Sequence, residues 1–427
     1  MLIALLSTTL TALSAGPSSK GKDYVAHEWG TFTSVQGAEG IQMDWNPFVQ
    51  WDLPTFVHDQ NQNVQAKVNQ QLAGLLLKSK AMSKQRMETP VIYFYSDQEL
   101  TVDVKVRFPQ GLMTEWYPAA TAFAPDPTAT SEQRAANKES FLAWNQMRIL
   151  APDADQALQP PSDQSDNHYY AARETSANLL EVAGPANAPH PQHEKFLFYR
   201  GVGDFTAPLT ASIQGDEQSV RMDNRAKDAL TGLAVLRIRG ETAQLLTTDH
   251  LEAGQNATLK LDSPILPKQD LRPLVRDYLK HHLVAAGLYP REAEAMVKTW
   301  DDSWFGEEGL RVLYLLPQSW TDEALPITLD PQPKSLVRVM VGRAELITPS
   351  TEWELLKQAV RFSDADAAGQ LEAVTAVQDL HLGRFAEPTA RRVLGSHPAP
   401  PFAQSVWNLL HASRAQLPVN LSDVTLQ

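Results

Sequence analysis

The alternation of side chains in residues 102–108 restricts the fold of this 427-residue chain more than any other feature. Apolar Val102, Val104 and Val106 alternate there with charged residues. Because successive side chains of a β-strand point to opposite faces of a sheet, this period of two predicts a strand with one buried and one wet face. The β-branched and aromatic run at residues 91–95 predicts its partner strand, and the pair is typical of an antiparallel sandwich.

Helical periodicity appears later in the chain. Leu271, Val275 and Leu279 form part of an apolar stripe within residues 266–304, and two further strands are predicted at 312–316 and 336–347. We therefore predict an α+β fold with a β-sandwich-like N-terminal part, a mixed α/β part and a helical C-terminal tail. The predicted segments are a signal peptide at 1–15, a β-rich domain at 23–262 with proline-rich excursions at 119–193, a mixed α/β segment at 263–362 and a helical tail at 363–427.

The first fifteen residues have the pattern of a secretory signal. They carry no charge, include an apolar run from Leu2 to Leu6 and end on the small residue Ala15, although they lack an early basic residue. They are too short and too rich in Ser and Thr to span a bilayer, which needs about 20 apolar residues. The pattern predicts a periplasmic or secreted protein, and the alternative is an N-terminus that is buried or unstructured.

Composition excludes several classes of function. The chain has 37 basic and 50 acidic residues, and the resulting charge of −13 disfavours nucleic-acid binding, which needs a basic face. It has no cysteine, which excludes disulfides, thiolate metal sites and cysteine nucleophiles. A Walker loop, a G-x-S-x-G elbow and an H-E-x-x-H motif are also absent from the sequence.

The run HEWGTFT at residues 27–33 is the most unusual segment. A strand here would place His27 and Trp29 on one face and Glu28 on the other. We take His27 and Glu28 as candidate catalytic groups and Trp29 as a candidate ligand contact. The alternative is a core strand in which the histidine is hydrogen-bonded and the glutamate is paired with a basic residue.

Two further carboxylates lie at the ends of predicted strands. Glu115 and Tyr117 end one strand, and Glu308 lies in an acidic turn before another. Two carboxylates about 5–9 Å apart suit acid–base work on a glycosidic bond, so Glu115 and Glu308 join the catalytic candidates and Tyr117 the ligand-binding ones. With 50 acidic residues in the chain, a chance pairing or a role in capping chain ends is the alternative.

Histidine and arginine residues cluster in and beside the proline-rich region. His168 and His193 are candidate metal ligands, since imidazole with carboxylate suits zinc and other divalent ions. Arg173 and Arg200 are candidates for fixing a carboxylate, either of a ligand or of the protein itself. The alternative is that the histidines are ordinary polar residues of a loop.

Several runs of the chain resemble a family of uncharacterised exported bacterial proteins found in planctomycete-like and related genomes. The family has no established activity, so the resemblance implies an exported protein and assigns no catalytic residue. The resemblance covers most of residues 26–349 and rests on AHEWGTFTSVQG (26–37), METPVIYFYSD (87–97), FPQGLMTEWYP (108–118), EKFLFYRGVG (194–203) and VRVMVGRAELITP (337–349).

Two hypotheses of function follow from the sequence, which leaves open whether the protein is an enzyme. The first is an exported soluble protein with a binding or structural role, motivated by the aromatic β-rich segments and the lack of a catalytic motif. The second is a hydrolase, either metal-assisted or a carboxylate-pair glycosidase, and its only predicted cofactor is a divalent metal ion. The predicted partner is a small-molecule or polymer ligand, with no nucleic acid and no transmembrane segment after signal cleavage.

Overall fold

The computed structural model describes residues 23–47, 53–59, 82–125, 139–184, 190–396 and 400–415. The predicted signal at residues 1–15 and parts of the proline-rich region lie outside these ranges. The described residues form twenty strands and seven α-helices. None of these helices is both long and apolar enough to cross a membrane.

The strands range from two to twelve residues in length. Their bounds are β1 (Val25–Gln36), β2 (Gln42–Met43), β3 (His58–Asp59), β4 (Gln85–Tyr95), β5 (Leu100–Phe108), β6 (Gly111–Tyr117), β7 (Ala122–Ala124), β8 (Ser140–Ile149), β9 (Leu180–Val182), β10 (Gln192–Glu194), β11 (Leu197–Gly203), β12 (Leu209–Gln214), β13 (Ser219–Asn224), β14 (Leu230–Arg239), β15 (Thr242–Leu251), β16 (Asn256–Lys260), β17 (Leu266–Pro267), β18 (Gly309–Leu316), β19 (Ile327–Asp330) and β20 (Ser335–Leu346).

All the α-helices of the described ranges follow the first seventeen strands. Their bounds are α1 (Lys268–Ala285), α2 (Pro290–Phe305), α3 (Gln318–Ala324), α4 (Pro349–Asp364), α5 (Ala367–Gln378), α6 (Ala386–Ser396) and α7 (Pro400–Ala415). Short 3₁₀ turns lie at Ala154–Gln156, His168–Arg173 and Gly383–Phe385.

The main sheet has eleven strands, in the order β17-β15-β14-β18-β20-β1-β4-β11-β6-β3, with β2 paired to β1. Strand β1 lies at its centre, parallel to β20 and antiparallel to β4. A bulge in the β1–β4 ladder lies between Trp29 and Thr31. At that bulge Gly30 lies against Pro90, and an added Cβ would be 2.8 Å from the Pro90 Cα, so the close approach of the two strands requires glycine.

Two smaller sheets cover one face of the main sheet, and helices α1 and α2 cover the other. The smaller sheets have the orders β10-β9-β8-β5-β19, with β7 paired to β8, and β12-β13-β16. A core containing Phe32, Val104 and Met222 joins all three sheets. A second core containing Trp29, Leu279 and Trp300 joins the main sheet to the two helices. The fold is thus a layered α+β structure, as the sequence predicted.

The predicted pairing of the two strands on either side of residues 96–99 is wrong. Both strands exist, and β5 alternates buried and exposed residues as expected. However, β4 belongs to the main sheet, whereas β5 pairs with β8 and β19 in a smaller sheet. Residues 96–99 therefore connect one layer to the next, and the apolar faces of β4 and β5 share the core that lies between the two sheets.

The main sheet also crosses the predicted boundary between residues 262 and 263. Strands β18 and β20 from the later segment pair with each other, and β20 pairs with β1 along its whole length. The last four helices, in contrast, have a core of their own, which begins with Pro349–Asp364 and so starts before the predicted tail at 363–427. Helices α4–α7, here called the helical bundle, share a hydrophobic cluster that includes Leu355, Val374 and Leu409 and contains no strand residue.

Candidate functional site

The HEWGTFT strand divides its side chains between the two faces of the main sheet, as its alternation predicts. His27 faces helix α2, where its Nδ1 donates to Glu292 Oε2 over 2.8 Å. The same carboxylate accepts from the hydroxyl of Tyr95 at 2.6 Å and from the backbone N–H of Tyr289 at 2.7 Å. Both His27 and Glu292 are buried. His27 therefore anchors a helix start to the sheet, with Trp29 buried in the adjoining core.

Glu28 points to the opposite face, into a fully buried polar cluster. Its Oε2 accepts from Arg338 Nε at 2.5 Å, and its Oε1 accepts from the Tyr199 hydroxyl. Arg338 also donates to Asp322 Oδ1 at 2.8 Å. Burial and then the charge of Glu28 raise the pKa of the Tyr199 hydroxyl well above its ordinary value. Glu28 and Arg338 lie opposite each other on the paired strands β1 and β20, so the ion pair fixes that pairing.

A second set of charges, here called the charged band, crosses the helical side of the main sheet where β1 and β20 end. It consists of Arg86, Glu88, Arg311, Arg343 and Glu345, all buried. Arg343 donates to Glu345 Oε2 from Nε at 3.0 Å and from Nη2 at 2.8 Å. Arg311 Nη2 donates to Glu345 Oε1 at 3.3 Å. Glu345 is thus held between two guanidinium groups that offset its burial.

Glu307 extends the charged band towards solvent. Arg343 Nη2 donates to Glu307 Oε2 at 2.7 Å. Burial opposes ionisation of this carboxyl, but the positive charges, Arg343 first, lower its pKa to about 2. Glu307 therefore stays ionised across the ordinary pH range.

The charged band also attaches the helical bundle to the sheet. Arg384, in the turn that leads into α6, donates from Nη1 to Glu88 Oε1 at 2.9 Å and to Oε2 at 3.0 Å. Its guanidinium lies 5.8 Å from the Trp45 ring and 5.1 Å from the Phe385 ring. Burial opposes ionisation of Glu88, yet Arg384 and then Arg86 lower its pKa below the ordinary value.

One of the predicted ligand-binding residues, Arg173, holds a buried glutamate whose charge also acts on a second one, Tyr117. Arg173 makes a bidentate pair with Glu194, at 2.9 Å from Nε to Oε1 and 2.6 Å from Nη2 to Oε2. Tyr169 donates to the same carboxylate at 3.0 Å. Burial and then Glu194 raise the pKa of the Tyr117 hydroxyl, whereas Arg173 opposes the rise. Arg173 thus fixes a carboxylate of the protein itself, one of the two roles considered for it.

The remaining candidates lie in separate surroundings. Glu115 is buried on β6 opposite Arg200 of β11, and it accepts from the Thr114 hydroxyl. His168 lies with its ring 5.8 Å from that of Trp300, and His193 Nε2 lies 3.0 Å from Glu181 Oε2. Within the described ranges, no three His, Asp or Glu side chains are arranged to hold a metal ion. The metal and catalytic roles of these residues remain predictions.

Glu308 is the candidate that lines a sizeable cavity. The cavity has a volume of about 320 Å³ and lies between the end of the main sheet and the helical bundle. Its floor is apolar and includes Leu346 and Phe385, and its polar walls include Glu345 of the charged band. The remaining polar lining comes from Arg237, Arg239, Thr348, Ser350, Thr351, Asp379, His381 and Thr389.

Much of the polar lining is already engaged by other groups of the protein. Arg237 Nη2 donates to the Glu217 backbone oxygen at 2.6 Å, and Arg239 Nη2 to the Glu217 carboxylate at 3.1 Å. Glu308 Oε1 accepts from the Gly240 N–H at 2.6 Å, and its second oxygen has no hydrogen-bond partner among the described residues. The charge of Arg239 is therefore offset by Glu217, whereas Arg237 meets only a backbone oxygen and its buried Nε has no hydrogen-bond partner among the described residues.

A short turn of the bundle completes the cavity and carries backbone strain. His381 has φ of 48°, in the left-handed region that disfavours non-glycine residues. Its Nδ1 donates to the backbone oxygen of Asp379 at 2.8 Å, which leaves Nε2 as an acceptor in the neutral ring. The Asp379 carboxylate makes no ion pair with a residue that the structure describes.

The sequence pointed to Glu308 but missed the groups around it. The strand 335–346 carries three charged residues inside an apolar run, and buried charges on a strand signal either a polar network or a site. Asp379 and His381 left a weaker signal, because a short polar turn between two helices resembles any helix connection.

Comparisons with known proteins add little to this geometry. No family model and no curated protein matches the chain. The yeast delta-COP-I mu-homology domain aligns over 78% of this chain and 100% of its own, with 7% identity and a TM-score of 0.27. The same domain complexed with a Dsl1 WxWxV peptide aligns over 76% and 98%, with 8% identity and the same TM-score. The Amycolatopsis orientalis exo-chitosanase CsxA aligns over 77% and 44%, with 11% identity and a TM-score of 0.11. Similarity this low supports no inference about fold or function.

Proposed function

We propose that this chain is an exported protein that binds a small molecule in the cavity between the main sheet and the helical bundle. The proposal is supported chiefly by the cavity itself, whose volume of about 320 Å³ falls in the range of small-molecule sites. An apolar floor with a few polar groups above it is the usual composition of such sites. Export is proposed from the signal-like pattern of residues 1–15.

The unengaged polar groups of the cavity favour a ligand rich in hydrogen-bond donors. The Glu308 and Asp379 carboxylates offer acceptor oxygens, and Nε2 of His381 is an acceptor when the ring is neutral and Nδ1 carries the proton. Of the two lining arginines, Arg239 is already paired with the Glu217 carboxylate, and Arg237 donates to the Glu217 backbone oxygen. We therefore expect a hydroxylated or amine-bearing compound with an apolar edge that rests on the floor of the cavity.

A thermal-shift screen of sugars, polyols and amines against the purified mature protein tests this proposal. A ligand present at 100 times its Kd stabilises the folded state by about 2.7 kcal/mol, which raises the Tm measurably. Glu308→Gln should reduce the rise in Tm that any bound ligand causes, because the substitution replaces an acceptor carboxylate of the cavity by a neutral amide. Glu241→Gln is the matched control, since that side chain is 93% exposed and lies outside the cavity. An undiminished response in Glu308→Gln would place the site elsewhere.

Export is tested separately, by expression of the full chain in a Gram-negative host with fractionation and intact-mass analysis. We expect the periplasmic fraction to contain a chain that has lost residues 1–15. Recovery of the full-length mass from the cytosol would contradict export but would leave the cavity proposal standing.

A carboxylate-pair hydrolase is the second candidate, favoured by one observation. Glu308 and Glu345 both line the cavity, and paired carboxylates are the machinery of glycoside hydrolysis. Against it, both oxygens of Glu345 are already engaged by Arg311 and Arg343, which leaves this carboxylate poorly placed to attack or to accept a proton. Turnover of aryl glycosides that is lost in Glu308→Gln but kept in Glu241→Gln would favour the hydrolase.

A further inference from the structure

A second concave region lies away from the cavity of the proposed function. It consists of two adjoining cavities of about 330 and 340 Å³, which share the residues Thr206 and Arg225. One cavity is bounded by helix α3 through Trp320, and the other by the loop after β1 through Gly40. Together they form a groove, here called the Arg225 groove, with one guanidinium at its middle.

Arg225 is anchored without being neutralised. Its Nε donates to Thr210 Oγ1 at 2.8 Å, and its backbone N–H donates to the Pro208 oxygen at 2.7 Å. None of the carboxylates in the described part of the chain forms an ion pair with it. Because Nε is held by a neutral hydroxyl, the two terminal nitrogens remain available as a fork, the arrangement that receives a carboxylate through two parallel hydrogen bonds.

The lysines of the groove are engaged differently. Lys227 lies 2.5 Å from Glu323, and Lys84 lies 2.8 Å from Asp204. Both pairs are exposed, so each contributes little and each lysine can turn towards a ligand. Glu39, Asp228 and Glu323 also line the two cavities, so the lysines offset carboxylates there and add no net positive charge beside Arg225.

Trp320 supplies a rigid apolar wall on one side of the guanidinium. Its ring lies 5.2 Å from Phe32 at an interplanar angle of 88° and 5.7 Å from Phe205. These contacts with core residues hold the half-buried indole in place. A ligand ring can therefore pack on its open side with little loss of side-chain freedom.

We propose that the Arg225 groove binds an organic carboxylate whose ring, aromatic or sugar, packs against Trp320. The carboxylate accepts from the two terminal nitrogens of Arg225, and the ring covers the indole. Recognition needs both parts, since a single exposed guanidinium holds a simple anion weakly in water. The proposal is independent of the cavity at the end of the main sheet.

Titration calorimetry of the full mature chain tests the proposal with defined probes. Phenylacetate and galacturonate represent the aromatic and sugar carboxylates, and 2-phenylethanol and inorganic phosphate are the comparison compounds. We expect saturable binding of at least one carboxylate, at least tenfold tighter than either comparison compound. Arg225→Gln should weaken that binding at least tenfold, and Arg225→Lys should weaken it less because it keeps the charge without the fork.

Arg221→Gln is the matched control, because Arg221 already pairs with Asp223 at 2.8 Å and lies outside both cavities. It should bind the probes as the parent does. Arg225 is exposed, so an unchanged Tm will show that Arg225→Gln is folded. Equal binding of 2-phenylethanol, competition by phosphate at equal concentration, undiminished binding in Arg225→Gln, or no saturable binding of either carboxylate would each overturn the proposal.

Discussion

The helical bundle should detach from the main sheet more often when the contacts that attach it are weakened. The bundle has its own hydrophobic core, and a small cluster of Val35, Trp45, Ile347 and Phe385 joins it to the sheet. The buried pair between Arg384 and Glu88 lies beside that cluster. Arg384→Met removes the charge and keeps much of the side-chain volume, so it tests how strongly this pair holds the bundle.

The expected cost follows from the burial of Glu88, which is 1% exposed. Removing one partner of a buried pair costs about 3–5 kcal/mol, because the remaining charge is left uncompensated. Arg86 stays at 3.8 Å from the Glu88 carboxylate and offsets part of that loss. We therefore expect about 2–3 kcal/mol, which corresponds to about a 30- to 140-fold rise in the undocked population at 1.4 kcal/mol per factor of ten.

Cysteine labelling measures this population directly, because the chain has no cysteine of its own. Val35→Cys introduces a thiol on β1 in the cluster that joins the sheet to the bundle, at a position that is fully buried and does not line the cavity. Its reaction with a thiol reagent requires the bundle to leave the sheet. Val374→Cys is the control, because Val374 lies inside the core of the bundle and reacts only when the bundle itself unfolds.

Arg384→Met should accelerate labelling of the residue-35 cysteine about 30- to 140-fold and leave the residue-374 cysteine unchanged. Equal acceleration at both positions would mean that the bundle unfolds when its anchor is lost. No acceleration at either position would refute the reasoning that this buried pair holds the bundle to the sheet.

Three further predictions concern stability. Arg338→Met should lower the free energy of unfolding, measured in urea, by about 3–5 kcal/mol. Glu28→Gln should lower it less, because Arg338 keeps Asp322 as a second carboxylate partner. Equal losses in the two variants would contradict this reasoning. The pKa of Glu307 is lowered to about 2, so its stabilisation is complete above its unfolded value of 4.5 and is lost as pH falls from 4.5 towards 2. Since the Glu307 side chain is 37% exposed, we expect a loss of about 1–2 kcal/mol, and Glu307→Gln should flatten the stability–pH curve in that range. Gly342→Ala should lower the free energy of unfolding by about 1–3 kcal/mol, because an added Cβ would lie 2.2 Å from the Tyr314 ring. The Cβ of Gly395→Ala would meet nothing within 4 Å, so this substitution should stabilise its helix. Similar melting temperatures for the two variants would refute the steric argument.

Local periodicity accounts for the parts of the fold that the sequence predicted well. The alternation in β5 and the face division in the HEWGTFT strand follow from the period of two, which is a property of the strand itself. The buried stripe of α1, with Leu271, Val275 and Leu279, follows equally from the helical period. In each case the side-chain direction is fixed by the backbone before any partner is chosen.

The candidate site was predicted only in part. Arg173 holds Glu194, a carboxylate of the run 190–195 that the sequence suggested as part of a metal or anion site, and Glu194 also acts on the pKa of Tyr117. Glu308 lines the cavity, whereas Glu28 and His27 project to opposite faces of the sheet. Hydrogen-bond partners of buried charges come from distant segments, so composition and spacing cannot identify them.

The sequence by itself determined which residues lie on a common face, the α+β class and the positions of the long helices. Tertiary structure alone decided that β1 lies beside β20, so that Glu28 meets Arg338 across 310 positions of the chain. It also decided that β4 and β5 separate into different sheets and that a cavity lies below the helical bundle. The physical reason is that periodicity is a local property of the backbone, whereas pairing depends on the combined burial of surfaces contributed by remote strands.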